Sequence, residues 1–385
     1  MAVLVRATSG VAGVPPGFPI LVDRALRIVE PAFAYLIEIA TIPGRSHAAE
    51  TVRTYAEHLH DWFDTLEQSG LDWCDVGEPT VAAYRNRMLE GPSQHTGRPY
   101  ARATVNARVH TVCRFYAWAQ RRGLIAHLPF GLIEVRVPGA RHQHATAQLA
   151  AEGGFKAWAN ILTVPEQGRI PRPLRSVELA RLLATLDQPY RLMAEWAVTT
   201  GLRRMELCAL AIRQLPPDHG LDAGRDSFTP VEITQTKGRR PRTVYAPVRL
   251  IDRTHWYIGE ERAVAARRRG QSAGRRSTTA LFLRSSGEPP THASTSAVFG
   301  RAFAAAGLQG SLHALRHTFA VTMLAALQRR LHADPDLNPL KVLQVLLGHS
   351  SIEVTAGYLR CVELHAESLE ESVSHLYGAL VPDAA

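Results

Sequence analysis

Apolar residues recur at spacings of three and four along residues 46–135, and this periodicity is the strongest constraint on the fold. In SHAAETVRTYAEHLHDWFDTLEQSGLDW the recurrence marks one face of an amphipathic helix. That face consists of Val52, Tyr55, Leu59, Trp62, Phe63 and Leu66. Two further helices are predicted at TVAAYRNRMLE and at ARATVNARVHTVCRFYAWAQRRGLI, the second with arginines off its apolar face. The region is therefore predicted to be a compact all-α domain with basic edges.

A pattern typical of a β-hairpin appears in PVEITQTKGRRPRTVYAPV. Its β-branched residues favour short strands at residues 231–236 and 242–246, joined by a turn around Lys237. Helical patterns lie on both sides, in LRSVELARLLATL, where Ser176 is the predicted N-cap, and beyond about Ile251. The predicted fold class is therefore mainly α with a small β-sheet.

Changes in pattern divide the chain into four segments. Residues 1–45 form an N-terminal extension of unknown role, with one possible helix in LVDRALRIVEPAFAYLIEIA. Residues 46–135 form the helical domain. Residues 136–173 carry Pro, Gly, His and Gln without sustained periodicity and are predicted to be a linker with some local order. Residues 174–385 form a second domain of α+β type.

Composition favours an anionic partner. The 385 residues are 46% hydrophobic, enough for buried cores in two or more domains, and carry a formal net charge of +9. Nucleic acid and anionic membrane both fit that charge. Arg27, Glu30, Pro31 and Glu38 interrupt the most apolar N-terminal stretch, so no membrane span or signal peptide is predicted. We expect a cytoplasmic protein without a membrane partner.

The cysteines predict neither a metal site nor a disulfide framework, because their positions have no ligand-like spacing. They are Cys74, Cys113, Cys208 and Cys361. Small buried residues are the expected role for all four. No acidic cluster for a divalent metal accompanies the basic residues, which argues against a hydrolytic nuclease.

Two helices that meet at a sharp break are predicted in LNPLKVLQVLLGHSSIEVTAGYLR. Asn338 is the predicted N-cap of the first, Pro339 its first residue, and Gly348 the left-handed residue that ends it. Ser350 followed by Glu353 forms a capping box for the second. The break places His349 in the corner and Tyr358 on the second helix; a buried structural tyrosine is the alternative interpretation.

Three other short segments accompany this corner: TTGLRRMEL, QTKGRR and LHALRHTFA. Each is weak alone, but together they give an ordered set of six residue types. The set is Arg203, Lys237, His313, Arg316, His349 and Tyr358. In this order and context the chain resembles the catalytic domain of the tyrosine recombinases, also called the phage integrase family. The resemblance extends over most of residues 46–375 and implies a two-domain DNA clamp, with an all-α core-binding domain at 46–135.

These residue types suit strand breakage without hydrolysis. A tyrosine phenoxide can attack phosphorus and store the ester bond as a covalent intermediate. Because that linkage conserves the energy of the broken bond, neither a metal nor a cofactor is expected. Guanidinium groups can meet the excess negative charge of a five-coordinate phosphate, and a lysine can protonate the departing oxygen. The resemblance implies these roles for Tyr358, for Arg203 with Arg316, and for Lys237.

The resemblance also implies supporting roles. His313 would help to deprotonate Tyr358, His349 would hydrogen-bond the phosphate, and Glu206 would orient Arg203. His317 follows Arg316 directly and is predicted to serve in packing. Arg102, Arg108 and Arg239 are predicted, with Lys237, to contact the DNA backbone.

The implied activity is site-specific recombination, in which duplex DNA is cut and rejoined through a 3′-phosphotyrosyl intermediate for integration, excision or resolution of a DNA element. The implied partner is double-stranded DNA at a recombination site, bound by a homo-tetramer on synapsed DNA. The free protein is expected to be a monomer or weak oligomer. A C-terminal helix within VELHAESLEESVSHLYGAL would dock on a neighbouring subunit. An accessory DNA-bending protein or a second recombinase is a further possible partner, in a bacterial cytoplasm and its nucleoid.

Two alternatives stay open from the sequence: relaxation of DNA in the manner of type IB topoisomerases, and a DNA-binding regulator that keeps the fold without turnover. Two segments also depart from the usual pattern. QRRLHADPDLNP lengthens the chain between LHALRHTFA and VLLGH, and the linker at 136–173 is longer than such clamps need.

Overall fold

The structure is a computed structural model. It describes residues 3–8, 13–42, 47–93, 97–136, 156–160, 162–166, 172–217, 228–236, 240–271, 278–331, 334, 336–349, 352–359 and 362. For residues 132–136 and 156–160 the description is of the backbone alone. The chain divides into two compact units, Met1–Gly168 and Arg169–Ala385, and each is described by itself.

The first unit is built on helices, with short hairpins. Its helices are α1 (Glu30–Thr41), α2 (Ala49–Ser69), α3 (Glu78–Glu90) and α4 (Arg102–Arg121). Two antiparallel pairs accompany them: β1 (Val3–Arg6) with β2 (Pro19–Val22), and β3 (Leu132–Arg136) with β4 (Lys156–Asn160).

The predicted apolar face of α2 forms the centre of this unit. Trp62 is fully buried, and its Nε1 donates to Tyr116 Oη of α4 at 3.3 Å. Of the six predicted face residues, five are buried and Tyr55 is half-buried. The helix ends at Gly70, whose φ of +65° is the left-handed conformation that a glycine adopts without strain.

The N-terminal extension contributes to the same core. Leu21 of β2 and Leu36 of α1 are fully buried in the cluster that contains Trp62. The helix predicted from Leu21 begins instead at Glu30, because the preceding residues pair as a strand and Pro31 occupies the first turn. Residues 18–41 are therefore part of the packed unit.

Part of the predicted linker is also ordered. Leu162 is buried against the first-unit core. The side chain of Asn106 on α4 pairs with both backbone groups of Val164, each at 2.9 Å. Residues 162–166, within the predicted linker, are thus packed against the first unit.

The second unit combines helices with one hairpin. Its elements are α5 (Ser176–Ala184), α6 (Tyr190–Thr200), α7 (Arg204–Ala209), β5 (Phe228–Ile233), β6 (Arg242–Pro247), α8 (Val248–Tyr257), α9 (Ala263–Gln271), α10 (His292–Ala305), α11 (Leu312–Arg330), α12 (Pro339–Leu347) and α13 (Ile352–Ala356). A π-helical turn joins α8 to α9.

The predicted strand pairing and the predicted caps of α12 are confirmed, although the first strand spans Phe228–Ile233 instead of 231–236 and the turn at 237–239 lies outside the described residues. β5 and β6 pair antiparallel, with Val231 opposite Val244 and both side chains buried. Asn338 Oδ1 accepts from the backbone N–H of Lys341, and Gly348 ends the helix. One cap prediction is wrong. Ser176 is the first residue of α5, whose N-cap is Arg175.

Burial of the cysteines is only partly as expected. Cys113 is buried, Cys208 is half-buried and Cys74 is exposed, while Cys361 lies outside the described residues. Among the helices that the structure describes, none has the length and apolarity to cross a bilayer.

We expect Leu36→Ala to destabilise the first unit by about 2–5 kcal/mol, because it opens a cavity in the shared core. Leu89→Ala is the matched control, since Leu89 is 37% exposed on α3. Hydrogen exchange of first-unit peptides across a urea series measures both. Equal exchange in the two variants would show that the extension does not stabilise this core.

Candidate active site

The site is assembled around the ends of two helices. α6 ends at Gly201, where φ is +67° and an added Cβ would lie 2.5 Å from Phe319. α12 ends at Gly348, where φ is +61° and a Cβ would lie 2.7 Å from Arg242. Both turns therefore require glycine. Each leaves backbone carbonyls at a helix C-terminus, where the helix dipole favours a positive charge.

Arg316 of α11 binds both helix ends. Its Nη1 donates to the carbonyl of Gly201, and its Nη2 donates to that of Leu347 at 2.8 Å. The same Nη2 lies 3.1 Å from His349 Nε2. Arg316 is only 1% exposed. Burial, aided by the charges of Arg203 and Arg242, lowers the pKa of Arg316 to about 9, so the guanidinium stays charged at neutral pH.

Arg203 and Arg242 share the buried carboxylate of Glu206. Arg203 immediately precedes α7; its backbone N–H donates to Glu206 Oε2 at 2.7 Å and its Nη1 to Oε1 at 3.1 Å. Arg242 at the start of β6 donates from Nη2 to Oε2 at 3.0 Å and from Nη1 to Oε1. The Glu206 side chain is fully buried. Its carboxylate therefore balances two guanidiniums where water cannot.

Arg203 also reaches the second helix end. Its Nη2 donates to the carbonyl of Gly348 at 3.2 Å. The Arg203 side chain keeps 21% of its surface exposed. The predicted orientation of Arg203 by Glu206 is thus a contact in the structure, and Arg203 links the turn after α6 to the corner after α12.

His349 lies in the predicted corner with both ring nitrogens engaged. Nδ1 lies 2.9 Å from Thr355 Oγ1 on α13, and Nε2 is the atom that meets Arg316. Its backbone carbonyl accepts from Gln344 Nε2 at 3.2 Å. These contacts fix the ring between α12 and α13.

Tyr358 lies two residues beyond α13 and is 6% exposed. Its ring is parallel to that of His349, with an interplanar angle of 8° and centroids 6.3 Å apart. Tyr358 Oη lies 2.9 Å from Nδ1 of His317, within hydrogen-bond distance. His313, one turn earlier on α11, meets the His317 ring edge to face at 4.3 Å.

The contacts of His317 with His313 and Tyr358 were not predicted. His317 does point away from Arg316, but positions i and i+4 of a helix share a face, so it lies beside His313. The spacing of four in LHALRHTFA was the signal for this placement. The position of Arg242 in the network had no comparable signal, because its partners are remote in sequence.

Burial keeps two of the histidines neutral. The pKa of His317 is lowered to about 4 by burial and then by His313 and Arg316. The pKa of His349 is lowered to about 4 by burial and then by nearby arginines. At neutral pH each imidazole therefore offers one donor and one acceptor nitrogen.

Several predicted residues lie apart from this site or outside the described residues. Lys237 and Arg239 belong to the latter. Arg102 of α4 donates to the carbonyl of Pro165 at 3.0 Å. Arg108 pairs with Asp61 at 2.8 Å and is 13% exposed, a placement that favours a structural role. Ser350 and the Glu353 side chain, the predicted capping box of the last helix, are also outside the description.

The side chains of the site can bind an anion and can donate or accept protons. In the part of the chain that the structure describes, no group of His, Cys, Asp and Glu is arranged to hold a metal ion. A phenol, neutral imidazoles and the three guanidiniums of Arg203, Arg242 and Arg316 lie together within one unit instead. This set can bind a phosphate and present a nucleophile to it.

Comparison with known proteins places the chain in a family. A model described as the phage integrase family matches residues 172–364, and one described as the phage integrase N-terminal SAM-like domain matches residues 40–123. Tyrosine recombinase XerC of Mycobacterium tuberculosis is 30% identical over 334 residues, covering 85% of this chain and 93% of the relative. Tyrosine recombinase XerC 2 of Ralstonia nicotianae is 28% identical over 309 residues, covering 71% and 81%.

Solved structures share the fold. A post-cleavage complex of the XerH site-specific recombinase with palindromic difH substrate has a TM-score of 0.54 at 18% identity, covering 85% of this chain and 80% of that one. A Tn1549 transposon integrase in complex with circular intermediate DNA has a TM-score of 0.53 at 18% identity, covering 85% and 94%.

The fold and the site define a class of enzymes that break and rejoin DNA strands through a tyrosine. This chain belongs to the phage integrase family and is a tyrosine recombinase. The comparisons support neither the topoisomerase alternative nor the regulator alternative.

We expect Glu206→Gln to destabilise the second unit by about 3–5 kcal/mol, because it leaves the buried Arg242 and the partly exposed Arg203 without their counter-charge. Glu195→Gln is the control: Glu195 pairs at 3.1 Å with Arg253, whose side chain is 46% exposed. Loss of such a partly exposed pair costs about 0–1 kcal/mol. Hydrogen exchange of second-unit peptides in denaturant compares the two. Equal destabilisation would mean that the buried network has no special weight.

Proposed function

We propose that this recombinase cuts and rejoins duplex DNA at a specific site, for integration, excision or resolution of a DNA element, with Tyr358 as nucleophile. The observation that carries the proposal is the position of the Tyr358 phenol. It is nearly buried, within hydrogen-bond distance of a neutral imidazole, and next to a corner that two arginines bind. A structural tyrosine needs neither the arginines nor the histidines.

In the cleavage step, Tyr358 Oη attacks the scissile phosphorus and passes its proton to His313. A bond forms between Oη and phosphorus, and the bond from phosphorus to the 5′ oxygen breaks. The 5′ oxygen takes a proton from Lys237 and leaves as a hydroxyl. The phosphate then links the 3′ end of the cleaved strand to Tyr358 Oη. Rejoining is the reverse step with a 5′ hydroxyl of another strand. The phosphotyrosyl ester conserves the bond energy, so the scheme needs no cofactor.

The arginines stabilise the charge that develops on the phosphate. Arg203 keeps part of its side chain exposed and can donate to a phosphate oxygen. Arg316 is buried, so the low dielectric around it strengthens the attraction between its positive charge and the phosphate. His349 is held by Arg316 and Thr355 with its ring parallel to Tyr358, and we assign it to the far side of the phosphate. We assign His313, whose side chain is exposed, two roles: it hydrogen-bonds the phosphate and accepts the proton of Tyr358.

We propose double-stranded DNA at a recombination site as the partner. Support comes from the net charge of +9 and from the structural neighbours, which are complexes with DNA. Phosphate contacts would make the affinity fall with salt. The working assembly is proposed to be a homo-tetramer on two duplexes, formed from monomers or weak oligomers in the bacterial cytoplasm and its nucleoid. An accessory DNA-bending protein or a second recombinase would join it at some sites.

The first test uses a suicide duplex, nicked near a candidate crossover site from the gene's flanking DNA, in buffer with EDTA. Wild-type protein is expected to form an adduct that survives denaturation, because the nick lets the cleaved strand diffuse away. Tyr358→Phe is expected to bind the duplex with wild-type affinity and to form no adduct. An adduct with Tyr358→Phe would remove this residue as nucleophile. Salt-sensitive binding without any wild-type adduct would support a non-catalytic regulator.

A second test addresses the tetramer. Deletion from Glu363 onward is expected to abolish synapsis of two duplexes while single-site binding stays unchanged, because the predicted exchange helix would be lost. Gel mobility with one and with two labelled duplexes separates the two states. Unchanged recombination by the shortened chain would contradict the proposed exchange.

A further inference from the structure

Tyr358 follows a short helix with an exposed outer face. α13 contains five residues, and Ile352 and Val354 on it are 39% and 59% exposed. The backbone N–H of Tyr358 donates to Thr355 at 3.0 Å, so the turn after α13 is closed locally. A nucleophile on such a segment needs a contact to a rigid neighbour if its oxygen is to meet phosphorus in line.

His317 lies on a rigid neighbour. It is in the second turn of α11, between the buried residues Arg316 and Thr318. Thr318 Oγ1 accepts from the backbone N–H of Leu174 at 2.9 Å, and Arg316 binds two helix ends. The backbone of His317 is therefore fixed on both sides. Its Nδ1 lies 2.9 Å from Tyr358 Oη.

The ring of His349 is stacked on Tyr358, and both of its nitrogens have other partners. His349 uses Nδ1 toward Thr355 and Nε2 toward Arg316, and its ring is parallel to the phenol. A ring in that orientation supports the face of Tyr358 but does not direct its hydroxyl. His317 meets the phenol at a tilt of 54° with a ring nitrogen at Oη.

We propose that His317 is a positioning residue for the nucleophile of this recombinase, outside the six residues of the family pattern. Its Nδ1 accepts the hydrogen bond of the Tyr358 phenol and so fixes the direction of the Oη lone pairs before DNA arrives. The inference rests on the proposed function, since it concerns the same tyrosine. The histidine acts through Tyr358 and not on the phosphate or the departing oxygen.

Three substitutions separate the hydrogen bond from the bulk of the ring. His317→Asn keeps an acceptor at the place of Nδ1, because Oδ1 is also bonded to Cγ. His317→Gln moves the amide to the place of Nε2. His317→Leu keeps comparable volume without an acceptor. DNA affinity and hydrogen exchange of α11 identify the variants that fold. If the Leu variant does not fold, the comparison of the Asn and Gln variants still tests the role of the hydrogen bond.

The assay is the rate of adduct formation at saturating DNA on two suicide duplexes, one with the natural 5′ oxygen at the scissile bond and one with sulfur there. Sulfur leaves without a proton, because a thiol has a pKa of about 8.5. Lys237→Ala is the comparison variant: it should be slow on oxygen and recover on sulfur. A defect in the nucleophile should be the same on both substrates.

We expect His317→Leu and His317→Gln to slow adduct formation about tenfold to a hundredfold on both substrates, as for a misplaced reactive group. His317→Asn should stay close to the wild-type rate. Equal rates for Asn and Gln would overturn the proposal, and recovery of the Leu or Gln variant on sulfur would place His317 at the departing oxygen. Absence of a wild-type adduct would instead be a failure of the proposed function.

Discussion

The burial of one charged side chain, Arg316, is the constraint on which the catalytic unit depends. A guanidinium that is 1% exposed is stable only where its N–H groups all find acceptors and its charge is balanced. The free carbonyls at the ends of α6 and α12 supply two of these acceptors, and their helix dipoles help to balance the charge. The helices are thereby held in one arrangement around α11. Gly201 and Gly348 follow from this, since a side chain at either turn would collide with its neighbours.

The concentration of positive charge explains the rest of the network. Arg203, Arg242 and Arg316 lie close enough that their charges, after burial, lower the pKa of Arg316. Glu206 is fully buried between two of them and makes the cluster tolerable in the absence of an anion. A bound phosphate would add further negative charge at the same place. The positive charges of the site are thus in place before an anion binds. Electrostatic stabilisation of a phosphoryl transition state requires such preorganised charges.

Several elements of the fold, and the family, could be predicted from the sequence. Short-range patterns predicted the hairpin strands, the ends of α12 and the amphipathic face of α2. Six ordered residue types predicted the family, and that resemblance implied the contact of Arg203 with Glu206. The participation of residues 18–41 in the first core was not predicted, because the apolar pattern there favours one continuous helix where the structure has a strand followed by a short helix. The contact of His317 with Tyr358 was not predicted, because the two residues are remote in sequence.

The sequence by itself determined the local elements and the residue types available for chemistry, because caps, turns and apolar periodicity act over a few residues. The tertiary structure alone decided which groups meet. Gly201 and Arg316 are 115 residues apart, and His317 and Tyr358 are 41 apart. Such contacts depend on how whole helices pack, and no spacing along the chain encodes them. The carbonyls that bind Arg316 and the imidazole that meets Tyr358 were therefore identified only in the fold.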